Sequence, residues 1–122
     1  MTSNPSPLIL NLDELEKRFL KDPDFLEEVV ALYQITCKEE FTELRMALAS
    51  SDVDKMRKSI HKLKGSTINY TRSYLAEDLI AKESEFKKTG HIQINSYEID
   101  QLEAKTQNLI LELNRIIQLW KC

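Results

Sequence analysis

His61 lies in the middle of a strongly basic window, and its imidazole is the side chain in this sequence best suited to chemistry. The ten residues from Lys55 to Lys64 contain five cations and no acid, in a chain whose net charge is −3. The cations are Lys55, Arg57, Lys58, Lys62 and Lys64. On a helix that turns by about 100° per residue, His61 points about 120° away from the centre of the apolar stripe that contains Ile60 and Leu63. We therefore predict that the imidazole lies at the boundary of the core or faces water.

The residues around His61 favour reversible phosphorylation of its ring. Gly65 lies one turn on and removes the side chain that would crowd the imidazole, although a glycine inside a helix costs about 1 kcal/mol relative to alanine. Lys64 flanks His61 on the other side and can reach an anion attached to it, and Arg57 and Lys58 extend the cationic rim. A neutral imidazole is nucleophilic at pH 7, and phosphoryl transfer needs open in-line access and charge neutralisation. Exposed ion pairs contribute only about 0–1 kcal/mol each, so the product would not be trapped.

Other chemistries fit this window less well, although a solvated surface histidine with no function remains an alternative. A metal site using His61 and His91 lacks a Cys, Asp or Glu three or four residues from His61, where cations would repel the metal. No nucleophile–base pair or glycine-rich phosphate loop is visible, so we predict no autonomous kinase activity and no cofactor. The basic window is short and embedded in an acidic chain, which argues against a nucleic-acid partner.

The composition predicts long helices to position this window. The 122 residues include two Gly and three Pro, too few turn residues for an all-β fold or a nucleotide-binding βαβ fold. Helix-start signals instead recur along the chain. The predicted starts are Asn11 with Glu14 as capping-box partner, Asp22 before Pro23, Ser51 with Asp54, a point near Ser73, and Asn95 with Glu98. The second helix is expected to end near Ala49 and the fourth before Gly90.

These signals predict an all-α fold, an up-and-down antiparallel four-helix bundle with a short extra N-terminal helix. The bundle is expected over residues 10–122, after a flexible tail over residues 1–9 rich in Pro, Ser and Asn. An unbroken apolar stripe runs along the last helix to Trp120, and such a seam suits the shallow crossing angles of a bundle. A homodimeric coiled coil through this stripe is the alternative. We expect a monomer, because the other helices also need partners for their apolar faces.

The sequence predicts a cytoplasmic protein without a membrane partner. No stretch approaches the roughly 18 apolar residues that a membrane span requires. The first residues lack the basic and then apolar run of a secretory signal. Cys37 and Cys122 are far apart and match no metal-ligand or redox spacing, so a disulfide framework is not expected.

The segment from His61 to Thr67, His-Lys-Leu-Lys-Gly-Ser-Thr, resembles the His-x-Leu-Lys-Gly-Ser-Ser signature of histidine-containing phosphotransfer (HPt) domains. The likeness extends loosely over nearly the whole chain, from the Asn-Leu-Asp entry at Asn11 to Leu75 and Leu79 after the histidine helix. It implies a four-helix bundle that displays a phosphoacceptor histidine. By this resemblance His61 is the phosphoacceptor, Lys64 its electrostatic partner and Gly65 the clearance residue. The implied partners are response-regulator receiver domains and hybrid histidine kinases.

Two residues depart from the family pattern and bear on partner choice. Ile68 stands where the family usually has a small residue, and either contacts a docking receiver or packs into a groove. Thr71 stands where the family usually has Gly, which suggests that the helix ends differently. The predicted partner-binding residues are Arg57, Lys58, Lys62 and Ile68. A bundle that is not phosphorylated and acts through the same face as an adaptor or inhibitor is the alternative function.

Overall fold

The computed structural model describes residues 10–72 and 75–122, and it is all-helical. The helices are α1 (Leu12–Phe19), α2 (Pro23–Ala49), α3 (Val53–Thr67), α4 (Leu75–Thr89) and α5 (Ser96–Lys121). No strand occurs within these two ranges, which confirms the all-α part of the predicted fold. None of the helices found there has the length and apolar character needed to cross a membrane. The predicted tail over residues 1–9 and the predicted helix start at Ser73 lie outside the described residues.

Side-chain caps begin three of the helices where the sequence predicts. The side chain of Asn11 accepts from the backbone N–H of Glu14 at 3.2 Å, and that of Asp22 caps α2. At α5 the capping box is complete, because Asn95 accepts from the N–H of Glu98 and the Glu98 carboxylate accepts from the N–H of Asn95. Each cap satisfies backbone donors that have no partner inside the first turn.

The start of α3 differs by one residue from the prediction at Ser51. The cap is Asp52, whose carboxylate accepts from the N–H of Lys55 at 3.1 Å. Ser51 adopts a left-handed conformation with φ of 56° and donates its N–H to the carbonyl of Leu48. Ser51 therefore belongs to the turn that closes α2. An aspartate is as good a helix cap as a serine, so the neighbouring Asp52 takes the role.

The helices pack around one apolar core, in which α2 contacts α3 and α5, and α4 contacts α3 and α5. The apolar stripes of the helices supply this core, although five of the apolar residues expected in them are only partly buried: Val29, Leu48, Val53, Phe86 and Trp120. The fully buried large side chains are Leu15, Leu26, Phe41, Leu44, Ile60, Leu63, Leu75, Leu79, Ile99, Leu109, Leu113 and Ile117. Burial of these stripes fixes the rotation of each helix, and hence which side chains of α3 face outward.

Candidate functional site

His61 lies on the exposed face of α3, where its position off the apolar stripe predicts it. Its side chain is 59% exposed, whereas the adjacent Ile60 is fully buried in the core. Gly65, one turn further along, is also exposed. A Cβ added to Gly65 would meet no described atom within 4 Å beyond its chain neighbours and its own helix backbone. The surface beside the imidazole is therefore open.

The imidazole is held from one side by Glu83 of α4. Nδ1 of His61 lies 2.5 Å from Oε2 of Glu83, and Nζ of Lys64 lies 2.5 Å from Oε1 of the same carboxylate. The Glu83 side chain is only 7% exposed, so one nearly buried carboxylate joins two side chains of α3. Both of its oxygens are engaged, which fixes its orientation.

Glu83 is ionised at neutral pH. Its burial alone would raise the pKa of the carboxyl, but the hydrogen bonds from Lys64 and His61 outweigh this effect and the pKa lies below its usual value of 4.5. An ionised carboxylate can only accept hydrogen bonds, so the proton of a neutral His61 ring resides on Nδ1. The other nitrogen, Nε2, then keeps its lone pair. Fixing the tautomer in this way makes Nε2 the nucleophilic atom of the ring.

Lys64 lies beside His61 and is paired with Glu83, and its predicted contact with an anion on the ring stays a prediction. Its side chain is 22% exposed and its ammonium group neutralises Glu83. A buried carboxylate needs such a partner, because an unpaired buried charge is strongly destabilising. The direct effect of Lys64 is therefore to keep Glu83 charged and in place against His61.

The other predicted rim cations also pair with acids that the sequence window does not contain. Arg57 and Lys58 both pair with Asp54, at 3.1 and 3.3 Å, and Lys62 pairs with Glu40 of α2 at 3.6 Å. The Lys58 and Lys62 side chains remain more than 60% exposed. The guanidinium of Arg57 also lies over the ring of Phe86 in α4, 5.5 Å from its centroid. Exposed pairs of this kind are weak, so a docking partner can exchange with them.

Ile68 lies at the C-terminal end of α3, as its cap residue, and is half-buried. It lines a small cleft together with Leu15 and Arg18 of α1. Thr71 is buried, and its N–H donates to the carbonyl of Thr67 at 3.2 Å. The helix α3 ends at Thr67, four residues before Thr71, and the chain then turns.

Glu83 is the site residue that reasoning from the sequence missed. It lies 22 residues from His61 on another helix, so spacing within α3 could not reveal it. One signal was present, because Leu75, Leu79, Glu83 and Phe86 follow helical spacing and Glu83 occupies a core position on that stripe. A charged residue at a core position requires a partner, and here the partners are His61 and Lys64.

The remaining candidates lie apart from this site. His91 is exposed after α4, and its N–H donates to the hydroxyl of Thr89 at 3.1 Å. Within residues 10–72 and 75–122, no three His, Cys, Asp or Glu side chains are grouped to hold a metal ion. Cys37 and Cys122 are both free, and burial raises the pKa of the Cys37 thiol to about 12.

Comparisons with protein-family models, with curated proteins and with solved structures found no match for this chain. The family resemblance of the segment from His61 to Thr67 thus stays a prediction from the sequence. What the geometry adds is independent of that resemblance: an exposed imidazole, a buried carboxylate on one ring nitrogen and open space beside the ring.

Proposed function

We propose that this protein is a phosphorelay intermediate, in which His61 accepts a phosphoryl group from the aspartate of a receiver domain and passes it to another receiver. The observation that carries the proposal is the hydrogen bond between Nδ1 of the exposed His61 and the nearly buried carboxylate of Glu83. This contact favours one tautomer and leaves the nucleophilic Nε2 for an incoming phosphoryl group.

The transfer step follows from that tautomer. The lone pair on Nε2 of His61 attacks phosphorus, the bond between phosphorus and the aspartate oxygen breaks, and the aspartate leaves as a carboxylate. The ring becomes a cation with its proton still on Nδ1, and Glu83 stabilises this charge through the existing hydrogen bond. The reverse sequence returns the phosphoryl group to a second receiver. The chain supplies an acceptor and no nucleotide chemistry, so it acts as a carrier and not as a kinase.

Gly65 and the rim are assigned to docking in this proposal. The open space at Gly65 lets the receiver bring its aspartyl phosphate in line with Nε2. Arg57, Lys58 and Lys62 are placed to meet acids of the receiver, and the exposed part of Ile68 is placed to give an apolar contact. Because the rim cations are exposed, they steer docking and add little to the lifetime of the complex.

The proposal includes the up-and-down antiparallel bundle as the scaffold of the site. Ion pairs support this arrangement for α2 and α5, since Arg45 near the end of α2 meets Asp100 near the start of α5. At the opposite ends, Lys121 of α5 meets Glu27 of α2. The links over residues 50–52, 68–74 and 90–95 are short, which favours antiparallel neighbours. We further propose a cytoplasmic monomer whose partners are receiver domains and hybrid histidine kinases.

The test is transfer from a receiver domain that has been phosphorylated with radiolabelled acetyl phosphate. We expect wild-type protein to take up label that is stable in base and labile in acid, as a phosphoimidazole is. His61→Gln is expected to take up none, and the matched variant His91→Gln, which removes the other histidine, is expected to behave as wild type. Label on His61→Gln at the wild-type level would overturn the assignment. Tight receiver binding without any transfer to wild type would favour the adaptor alternative.

A further inference from the structure

A side chain of α1 contacts the turn that follows the C-terminal end of the histidine helix. The guanidinium of Arg18 in α1 donates from Nη1 to the carbonyl of Asn69 at 3.1 Å and to that of Ile68 at 3.4 Å. The last carbonyls of a helix have no partner within the helix, and a cation placed there is favourable. Arg18 therefore restrains the residues that follow directly on α3.

A second contact between α1 and the same turn involves aromatic rings. Phe19 is buried and stacks on Tyr70, with ring centroids 5.8 Å apart and planes 12° apart. Tyr70 in turn contacts Tyr33 of α2, with ring centroids 4.9 Å apart. Arg18 thus holds the backbone of the turn, while Phe19 holds its aromatic side chain.

The position of α1 depends on these docking contacts. An isolated helix of eight residues is too short to be stable in water. The link to α2 passes through Leu20 and Lys21, both left-handed at φ of 59° and 52°, a conformation that non-glycine residues disfavour. A helix joined through such a link keeps its place only while its own side chains hold it against α3 and the core.

Ile68 connects the contacts made by Arg18 and Phe19, which together form a clamp on the turn after α3, to the candidate site. It follows His61 by seven residues, which at about 100° per residue brings it back to the same face of the helix. Its carbonyl is one of the two that Arg18 holds, and the residue is half-buried and lines the cleft against α1. Any movement of the turn therefore changes the surface that a partner meets beside His61.

We propose that Arg18 is a positioning residue for partner recognition, which acts by holding Ile68 in place on the face that displays His61. The proposal rests on the phosphorelay function proposed above. It assigns to Arg18 an effect on how tightly a receiver docks, and no effect on the chemistry of the docked complex, because the bonds that Arg18 makes are to the turn and not to His61 or Glu83.

The kinetic test measures transfer from the phosphorylated receiver at varied receiver concentration. We expect Arg18→Ala to raise the apparent KM by about fivefold and to leave kcat within about twofold, the pattern of lost binding. Arg18→Lys should recover part of the loss, since an ammonium group also donates to carbonyls. The matched control is Lys17→Ala, which removes an exposed cation from the same last turn of α1 and should leave KM unchanged.

A double-mutant cycle tests whether Ile68 transmits the effect. In an Ile68→Ala background, Arg18→Ala is expected to raise the KM no further. An unchanged KM in Arg18→Ala, a fall in kcat of the same size, or an undiminished effect in the Ile68→Ala background would each overturn the proposal.

Amide hydrogen exchange separates failure of this proposal from failure of the phosphorelay function. Exchange at the amides of Ile68, Tyr70 and Thr71, all bonded to carbonyls of α3, should speed up in Arg18→Ala and not in Lys17→Ala. This readout needs no receiver. Unchanged exchange in Arg18→Ala would show that Arg18 does not restrain the turn. Faster exchange in a protein that accepts no phosphoryl group would show that Arg18 restrains the turn but has no role in recognising a receiver.

Discussion

Charged side chains lie in different places at two helix contacts, the one between α2 and α5 and the one between α3 and α4. At the first, apolar side chains such as Leu109 fill the interior, and the ion pairs of Arg45 with Asp100 and Glu103 lie toward solvent. At the second, Glu83 occupies a core position of α4 and carries its charge into the protein. Burying a carboxylate costs stability unless partners offset it, so apolar packing alone does not account for Glu83 at this position. The candidate site thus lies where a charged residue interrupts the apolar stripe of α4.

The largest effect on stability is expected at the apolar contact between α2 and α5. Leu109→Ala removes a fully buried side chain and should lower the free energy of unfolding by about 2–5 kcal/mol. The matched control is Leu111→Ala on the exposed face of the same helix, which should change it by less than about 0.5 kcal/mol. Urea denaturation followed by circular dichroism measures both. Equal losses in the two variants would show that α5 does not pack as described.

Glu83→Gln is expected to give the next largest effect, and it affects function as well as stability. The variant leaves Lys64 without its carboxylate, so stability should fall by about 1–3 kcal/mol. Transfer to His61 should slow by at least about tenfold, because the ring loses the group that fixes its tautomer.

The control for this variant is Glu28→Gln, the same substitution at an exposed position of α2. It should change the free energy of unfolding by less than about 0.5 kcal/mol and leave the transfer rate unchanged. Stopped-time transfer assays and urea denaturation measure the two effects. A Glu83→Gln protein that transfers at the wild-type rate would show that the carboxylate is structural only.

Acid should remove the stability that Glu83 contributes. Its pKa lies below the usual 4.5 in the folded protein, so the contribution is complete above that value and is lost as the pH falls through the lower, folded-state pKa. The difference in unfolding free energy between wild type and Glu83→Gln should therefore shrink as the pH falls below the usual value of 4.5. A difference that is constant or grows toward acid would contradict an ionised Glu83.

Gly65→Ala should give the smallest change and the only gain in stability. Nothing described lies within 4 Å of the added Cβ beyond the adjoining backbone, and alanine is the better helix former, so stability should rise by about 0.5–1 kcal/mol. Transfer from a receiver should nevertheless slow, because the methyl group fills the space beside His61. Ser66→Ala is the control, since it changes the next residue without filling that space. Unimpaired transfer in Gly65→Ala would show that the open space is not used.

The features that were predicted correctly from the sequence depend on residues that are close to one another along a single helix. Caps at Asn11 and Asn95 and the apolar stripes are local, and the structure confirms them. Ser51 was wrong by one residue because the next residue, Asp52, caps equally well, and only the turn that closes α2 decides between them. Such local patterns predict where a helix begins, which of its faces is buried and that His61 is exposed.

Contacts between helices could not be predicted in the same way. The basic window looks unpaired along the chain, yet Lys62 meets Glu40 and Lys64 meets Glu83, each from a different helix. Arg18 reaches the end of α3 from 51 residues away. Such pairs depend on which helices become neighbours, and periodicity within one helix carries no information about that. The break in the stripe of α4 at Glu83 was one local sign of them, and the buried Glu40 between Cys37 and Leu44 of α2 was another.

The most direct test of the central claim is the position of phosphorus on the ring. Nuclear magnetic resonance of the phosphorylated protein, with labelled imidazole nitrogens, reports which nitrogen is coupled to phosphorus. We expect a bond to Nε2 of His61 with the proton retained on Nδ1 beside Glu83. Phosphorus on Nδ1, on His91 or on a residue other than histidine would contradict it.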